Sequence, residues 1–370
     1  MNNSNKKTIV LDARMLEKSG IGTYIKNIVN PIKEKYNLIF IGDEKEVHNV
    51  FPHSRVIHYT HPIYSIKEQL FIPTKVPRCD VFWSPHINIP LLPVLTKKRL
   101  VTIHDMFHAA QMPNFSRAKR TYTRLILNSL NIYKPEVITV SEFSKSEILK
   151  YTNIPEQKIT VSYNGYDDAR FKKTYSIARV NTPYALFVGN VKPHKNLKLI
   201  VEAFRILKNE SSLPIQLKIV GKKDGFITGD TDVVKKIAEY GLERDVIFTG
   251  KISQIDLVSY YQNAQFLIFP STYEGFGLPP LEAMACGTPS IVSDIPVLNE
   301  LYKGSALFTP VDEPQKLASL IKDACQNQEV MRELKDHFSE KLEKFTWEKS
   351  QQIHLDVIDK LIQGKKSYKN

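Results

Sequence analysis

No run of about eighteen apolar residues occurs anywhere along the chain, which excludes a membrane-spanning helix. Residues 1–7 are polar and run straight into a strand-like segment, so they lack the apolar core of a secretory leader. Cysteine is scarce. Cys79, Cys286 and Cys325 lie at no metal-ligand spacing. An odd, sparse set of thiols points to reduced cysteines in a cytoplasmic protein rather than to a disulfide framework. The sequence also holds no internal repeat of short fixed period and no low-complexity segment.

What is present suits a globular protein. At roughly 100–200 residues per domain, a chain of 370 residues suggests two domains. With 42% hydrophobic and 24% charged residues it can bury a core without a disulfide or metal staple. The charge is uneven. Residues 1–175 hold 26 Lys+Arg against 15 Asp+Glu, or +11, and residues 176–370 hold 25 against 24, or +1. Basic clusters stand at Lys97, Lys98 and Arg99, and at Arg117, Lys119, Arg120 and Arg124. Such clusters attract anionic lipid surfaces or nucleic acid, and they also serve simply as a solvated surface.

Short β-branched runs recur at residues 8–11, 37–41, 55–58, 80–83, 99–104, 137–140 and 159–162. A second series follows at 184–188, 215–220, 246–249, 265–269, 290–292 and 306–308. Helix-period stretches such as 141–151, 195–208 and 254–264 lie between them. Strand and helix in alternation predict parallel sheets with helical crossovers. Runs such as Ala185 to Val188 and Phe266 to Phe269 are apolar throughout, as strands covered on both faces are. The polar stretch 168–183 reads as the joint, giving domains at 1–175 and 176–346. The expected fold class is α/β, with two doubly wound Rossmann-like domains facing across a cleft. Ligands of such sheets bind at the carboxyl ends of the strands. Residues 347–362 read as an amphipathic helix with Ile353, Val357, Ile358 and Leu361 on one face, a candidate to pack back on the first domain. The basic tail 364–370 is expected to fray.

The most specific stretch runs from Phe269 to Pro289 and reads as strand, glycine loop, helix, turn. Glu274, Gly275, Phe276 and Gly277 form the loop. Pro279 and Pro280 suit a first helical turn, where a missing N–H costs nothing. A helix over 281–286 then stops at Gly287. Free N–H groups at a helix start beside glycines make a site for an anion, and a diphosphate fits. A carboxylate beside a phosphate is unfavourable unless it binds something else; sugar and ribose hydroxyls are natural partners for Glu274 and Glu282.

This segment resembles the donor motif of the retaining group 1 glycosyltransferases, also called family 4, which have the two-Rossmann GT-B fold. Their hallmark is Glu, seven residues, Glu, matched by Glu274 and Glu282. The resemblance implies that Glu274 and the backbone N–H groups of Gly275, Phe276, Gly277 and Leu278 hold the donor sugar and diphosphate, while Glu282 grips the ribose. The stretch from Phe187 to Leu197 looks like the family's basic strand-end loop, and Lys195 matches its lysine. A cation there would neutralise charge on the departing diphosphate. Many members carry arginine directly after the first glycine, where this chain has Asn190; Lys192 or His194 would then supply the second cation.

In the first half, the stretch from Leu11 to Tyr24 is a strand followed by a glycine loop in which Gly20 and Gly22 would let the backbone approach a diphosphate. Asp43 stands about where the ribose-binding acid of an NAD site would. Ile25 at the third fingerprint position speaks against that reading. His104, at the end of the strand 99–104, falls where the family places a histidine near the donor sugar and acceptor. The resemblance thus nominates His104, Glu274 and Lys195 as the reacting set.

It further implies same-face transfer with retention. The leaving diphosphate accepts the acceptor's proton, and the protein supplies positioning and charge. No Asp-x-Asp motif stands at a cleft position, so neither a metal nor a cofactor is expected. The donor would be a nucleotide sugar, GDP-mannose favoured and a UDP-sugar the alternative. The acceptor would be a glycan or lipid-linked sugar bound by the basic first half. That half implies peripheral attachment to an anionic membrane at its inner, cytoplasmic face, with no nucleic-acid partner. The rival readings are a GT-B nucleotide-sugar epimerase, a catalytically silent nucleotide-sugar-binding relative and a nucleic-acid-binding protein.

Overall fold

The computed structural model describes residues 6–173, 182–211, 213–221, 231–250 and 252–364. The expected junction at 175/176 and the tail 365–370 lie outside the described residues. The chain divides into two compact units, one formed by Met1–Gly165 with Thr346–Asn370 and the other by Tyr166–Phe345.

The first unit begins β1 (Thr8–Asp12), α1 (Ser19–Lys35), β2 (Asn37–Gly42), α2 (Glu44–Val50), β3 (Arg55–His58), α3 (Ile66–Lys75) and β4 (Cys79–Ser84). It continues with β5 (Thr96–Ile103), α4 (Phe107–Ala110), α5 (Arg117–Tyr133), β6 (Glu136–Thr139), α6 (Glu142–Tyr151) and β7 (Ile159–Val161). All seven strands are parallel, in the order β3-β2-β1-β4-β5-β6-β7. Several helices start where a short polar side chain accepts a first-turn N–H: Asp43 from Glu46, Ser65 from Glu68, Ser116 from Lys119 and Ser141 from Ser144. Asp43, the one residue compatible with an NAD ribose, is therefore a helix cap.

The second unit holds β8 (Tyr184–Val188), α7 (Leu197–Glu210), β9 (Gln216–Val220), α8 (Thr231–Glu239), β10 (Val246–Gly250), α9 (Gln254–Asn263) and β11 (Phe266–Phe269). Then come α10 (Leu278–Ala285), β12 (Ser290–Ser293), α11 (Pro296–Tyr302), β13 (Leu307–Thr309), α12 (Pro314–Gln326), α13 (Gln328–Asp336) and α14 (Phe338–Lys344). Its six parallel strands follow β10-β9-β8-β11-β12-β13. Every residue of β11 is buried, as expected of a central strand covered on both faces.

The chain re-enters the first unit as α15 (Trp347–Gln363), started by Thr346 capping the Lys349 N–H. Trp347, Val357 and Ile358 join the core built by β1, α1 and β2 around Leu11, Tyr24, Ile25, Ile28 and Phe40. Gly165 makes the crossing tight: a Cβ there would stand 2.1 Å from the Trp347 nitrogen.

Several boundaries differ from the sequence expectation, and three of them move residues of interest. The helix expected at 195–208 is preceded by a separate 3-10 turn, Pro193–Lys195, and Asn196 adopts a left-handed conformation (φ 55°) between the two. Lys195 thereby projects from a loop. The helix expected at 281–286 starts three residues earlier, because Gly277 (φ 97°) turns the chain directly into the proline-bearing first turn. Lys97, Lys98 and Arg99 lie inside β5, which starts at Thr96 and stops at Ile103.

Candidate active site

In a doubly wound sheet, successive crossovers leave in opposite directions on either side of one pair of neighbouring strands, and a crevice opens beyond their carboxyl ends. In the second unit that pair is β8 and β11. The loop after β8 carries Gly189 to Lys195, and the loop after β11 carries Pro270 to Gly277. The topology alone therefore brings Asn190 and Lys195 to the same strand ends as Glu274.

The side chains meet there. Lys195 Nζ donates to Glu274 Oε1 at 2.5 Å and lies 5.3 Å from the centre of the Phe269 ring. The pair is shielded but not sealed, with side-chain exposures of 20% for Lys195 and 14% for Glu274. Backbone stitches fix the two loops together: the Thr272 N–H and hydroxyl both donate to the His194 carbonyl, at 2.8 and 3.3 Å. Asn196 anchors the far side of the turn by donating to the Val311 carbonyl at 2.7 Å. His194 is pushed down to about 4, first by burial and then by the neighbouring Lys195 and Lys192, against the pull of Glu274. It is a neutral imidazole at pH 7, so Lys192 and Lys195 carry this loop's positive charge. Ser271 Oγ is fully buried at this end of β11 and has no hydrogen-bond partner among the described residues.

The loop ahead of α10 is held for backbone display. Phe276 is buried edge-on against Phe345. Gly277 could carry no Cβ without strain: its φ is 97°, and the added atom would lie 3.2 Å from both Phe269 and Leu298. The Tyr302 hydroxyl locks that conformation by donating to the Gly277 carbonyl at 2.6 Å. Of the first three residues of α10 only Leu278 carries an N–H, since Pro279 and Pro280 have none. Helix-start donors are therefore concentrated at Leu278 and in the loop just before it. Glu282, one turn into α10, accepts from the Tyr261 hydroxyl at 2.7 Å. Burial raises its carboxyl above the ordinary value, although Tyr261 and Arg170 pull the other way.

In the first unit the corresponding pair is β1 and β4. Its crevice is occupied by the chain's own ions. Arg14 grips Asp12 at 2.6 Å and Glu68 at 2.7 Å, with all three side chains buried. His86 Nε2 lies 3.2 Å from Asp12, and Asn88 donates to Glu68 at 2.8 Å. Burial pushes the Asp12 carboxyl up, but the Arg14 guanidinium overrides it and holds the group well below the usual carboxylate range. Sequence reading did not find this cluster, because Glu68 comes from a helix with no sequence cue linking it to Asp12.

His104 directly follows β5 beside that cluster. Its Nε2–H donates to the Pro85 carbonyl at 3.1 Å and its ring meets Tyr24 edge-on at 4.8 Å. Burial pushes it down to about 4, so Nδ1 keeps a free lone pair in the neutral ring. Tyr24 is fixed from behind by α15. His354 Nδ1–H donates to the Ser350 carbonyl at 2.6 Å, so its Nε2 accepts from the Tyr24 hydroxyl. Gly20 and Gly22, expected in a loop after β1, lie instead in the first turn of α1, and the two differ. A Cβ at Gly22 would stand 2.2 Å from the Leu16 carbonyl oxygen, whereas Gly20 is exposed with nothing within 4 Å.

The basic clusters are partly engaged within the fold. Lys97 pairs with Asp80 at 2.8 Å. Arg99 donates to the Pro90 and Leu92 carbonyls and lies over the Tyr133 ring at 3.7 Å. Arg120 donates to the Phe115 and Pro113 carbonyls. Arg117, Lys119 and Arg124 are exposed on α5, and Lys98 on β5.

The six-stranded parallel sheet thus brings a lysine–glutamate pair and a glycine-held helix start to the switch point where doubly wound sheets bind their ligands. Residues 170–345 match the model of the family described as glycosyl transferases group 1. That region is a group 1 glycosyltransferase domain, and the chain is a glycosyltransferase of GT-B fold. It is similar to the O-antigen chain mannosyltransferase RfbU of Salmonella typhimurium, 29% identical over 290 residues that cover 78% of this chain and 77% of that protein. It is also similar to the serotype-specific mannosyltransferase WbdA of Escherichia coli, 27% identical over 79% of this chain, a match that spans only 35% of the longer WbdA. Among solved structures, HepE of Anabaena in complex with UDP and glucose superposes with a TM-score of 0.74 at 19% identity, covering 96% of this chain and all of that one. The sucrose-phosphate synthase of Thermosynechococcus elongatus superposes with a TM-score of 0.78 at 19% identity, covering 97% of this chain and all of that one. Among the described residues no helix is long and apolar enough to cross a membrane.

Proposed function

We propose that the chain is a retaining glycosyltransferase of family 4 that moves mannose from GDP-mannose to a glycan or lipid-linked acceptor in surface-polysaccharide assembly. The observation that carries the reading is the Lys195–Glu274 contact at the β8/β11 switch point, beside a glycine-held helix start. The donor diphosphate lies against the N–H groups of Gly275, Phe276, Gly277 and Leu278, where no side chain of the loop need intervene. The Lys195 ammonium neutralises the charge that grows on the diphosphate as the C1–O bond lengthens. Glu274 holds that ammonium in place and offers its second oxygen to donor hydroxyls. Glu282, kept close to Tyr261, binds the ribose, and Gly20, Gly22 and Asn190 let backbone approach the donor. The acceptor oxygen bonds to C1 on the face the diphosphate leaves, and the diphosphate takes its proton. His104, neutral at pH 7, positions the sugar.

The choice of mannose is supported by the activities named for RfbU and WbdA; a UDP-sugar is the alternative donor, and no metal or cofactor is required. The acceptor binds the basic first unit, and the cations of β5 and α5 hold the protein at the anionic inner face of a membrane. The test is incubation with GDP-mannose, UDP-glucose and UDP-N-acetylglucosamine, in chelator, with a lipid-linked saccharide. Proton NMR of the product reports its anomeric configuration. The reading expects mannose transfer with the donor's configuration, lost in Glu274→Gln. An inverted product, or epimerised donor without acceptor, overturns it.

A further inference from the structure

Between α3 and α5 the first unit holds a cavity of about 760 Å³. Its walls include Ile66, Ile87, Ala109, Leu125 and Ile126. Tyr64, His108 and Lys119 also stand on its walls, and four further polar side chains there are already engaged. Asn88 donates to Glu68 and accepts from the Tyr122 hydroxyl at 2.5 Å, and the Tyr122 oxygen accepts from Gln69 at 3.0 Å. The Thr121 and Thr123 hydroxyls bond back to carbonyls of their own helix. A sugar would find few free partners there, whereas a hydrocarbon chain needs none.

Two of the apolar side chains lining the cavity are left in water: Ile66 is 78% exposed and Leu125 46%. One turn along α3 from Ile66, Leu70 is 56% exposed. Ile66 and Leu70 share one face of α3 by their four-residue spacing. The sequence gives no reason for this in folding, since α3 buries Glu68, Gln69 and Ile72 instead. A contiguous apolar patch rimmed by charge marks an interaction surface. The rim is cationic. Lys67 and Lys75 stand on α3, Arg117, Lys119 and Arg124 on α5, and α5 has no acidic residue. Lys67, Lys75, Arg117 and Arg124 make no ion pair among the described residues.

We propose that the α3–α5 face docks on a bilayer of anionic phospholipid, with Ile66, Leu70 and Leu125 entering the interface and one acyl chain occupying the cavity between the helices. An apolar helix face ringed by lysine and arginine has the composition of an interfacial element, and cations near the headgroups add electrostatic attraction. This refines the membrane reading above by moving the contact from β5, whose Lys97 and Arg99 are engaged internally, to α3 and α5.

The experiment uses the full chain carrying Leu125→Trp and vesicles of phosphatidylcholine, alone or mixed with phosphatidylglycerol, with and without bromine on the acyl chains. The native Trp83 and Trp347 are buried and serve as a constant background. The expected result is flotation with the phosphatidylglycerol vesicles and quenching of the new tryptophan by brominated chains. Ile66→Ser with Leu70→Ser should weaken flotation by about tenfold or more, with melting temperature and nucleotide-sugar binding unchanged. Flotation without quenching would mean headgroup contact only and would overturn the proposal. So would no flotation, or concentration-dependent dimers in sedimentation that shield the new tryptophan. Because donor binding is measured on the same samples, its loss would count against the transferase reading alone, and loss of flotation with donor binding intact would count against the docking alone.

Discussion

The two switch points of this chain share a strand order and differ in what fills them. At β1/β4 the crevice holds Arg14 clamped between two buried carboxylates. At β8/β11 it holds a single lysine–glutamate pair that water still reaches. A buried cation with two anions within hydrogen-bond distance has no capacity left for a ligand. A partly exposed pair with one anion retains some. The same topology thus serves as framework in one unit and as a receptive site in the other, and burial together with ion count decides which.

That contrast can be broken by exchanging the expected losses. Arg14→Ala leaves Asp12 and Glu68 buried without a cation, so unfolding by denaturant should show a loss of about 3–5 kcal/mol. A loss under about 1 kcal/mol would mean that the cluster is not structural. Lys195→Ala should do the reverse. Turnover should fall by about 10²–10³-fold, as when a charge-stabilising donor is removed, while the denaturation midpoint moves little.

Protonation sharpens the comparison further. His354 is fully buried and burial pushes it down to about 4, against an ordinary value of 6.5. The unfolded chain takes up its proton near pH 6.5 and the folded chain does so only near pH 4. Stability from this group is therefore complete above pH 6.5 and falls as pH drops towards 4, by on the order of 3 kcal/mol in all. His354→Gln should make that part of the stability curve less steep by this one group's share, since His104 and His194 keep theirs, as followed by thermal melts across the range. The smallest effect separates the two glycines in the first turn of α1. Gly22→Ala forces a Cβ against the Leu16 carbonyl and should cost about 1–3 kcal/mol, whereas Gly20→Ala, in open space within α1, should be neutral or gain up to about 1 kcal/mol. Equal effects would assign both glycines to the same role.

Much of this was legible in the sequence because period and spacing are local. The alternation of apolar runs with helical stretches predicts both parallel sheets, and the loop from Glu274 to Leu278 announces itself by its glycines and prolines. Lys195 and Glu274 are 79 residues apart, and only the resemblance joined them in advance. Pairings without a family motif stayed hidden: Arg14 with Glu68, Tyr261 with Glu282, Tyr24 with His354. Each links side chains from separate elements whose meeting depends on tertiary packing. The exposed face of α3 was missed for another reason. Residues 66–75 carry no motif, and only the fold shows that Ile66 and Leu70 are left exposed.

Gly165 and Trp347 meet where the first unit's chain departs and returns. During synthesis that unit is nearly all made early, yet Tyr24 lacks its histidine partner and the β1–α1 layer lacks Trp347 and Ile358 until α15 emerges. At about 5–20 residues per second, the intervening Tyr166–Phe345 imposes a wait of roughly ten to forty seconds. Over that interval the half-built layer stands open at the ribosome, and the unit begun first is the one finished last.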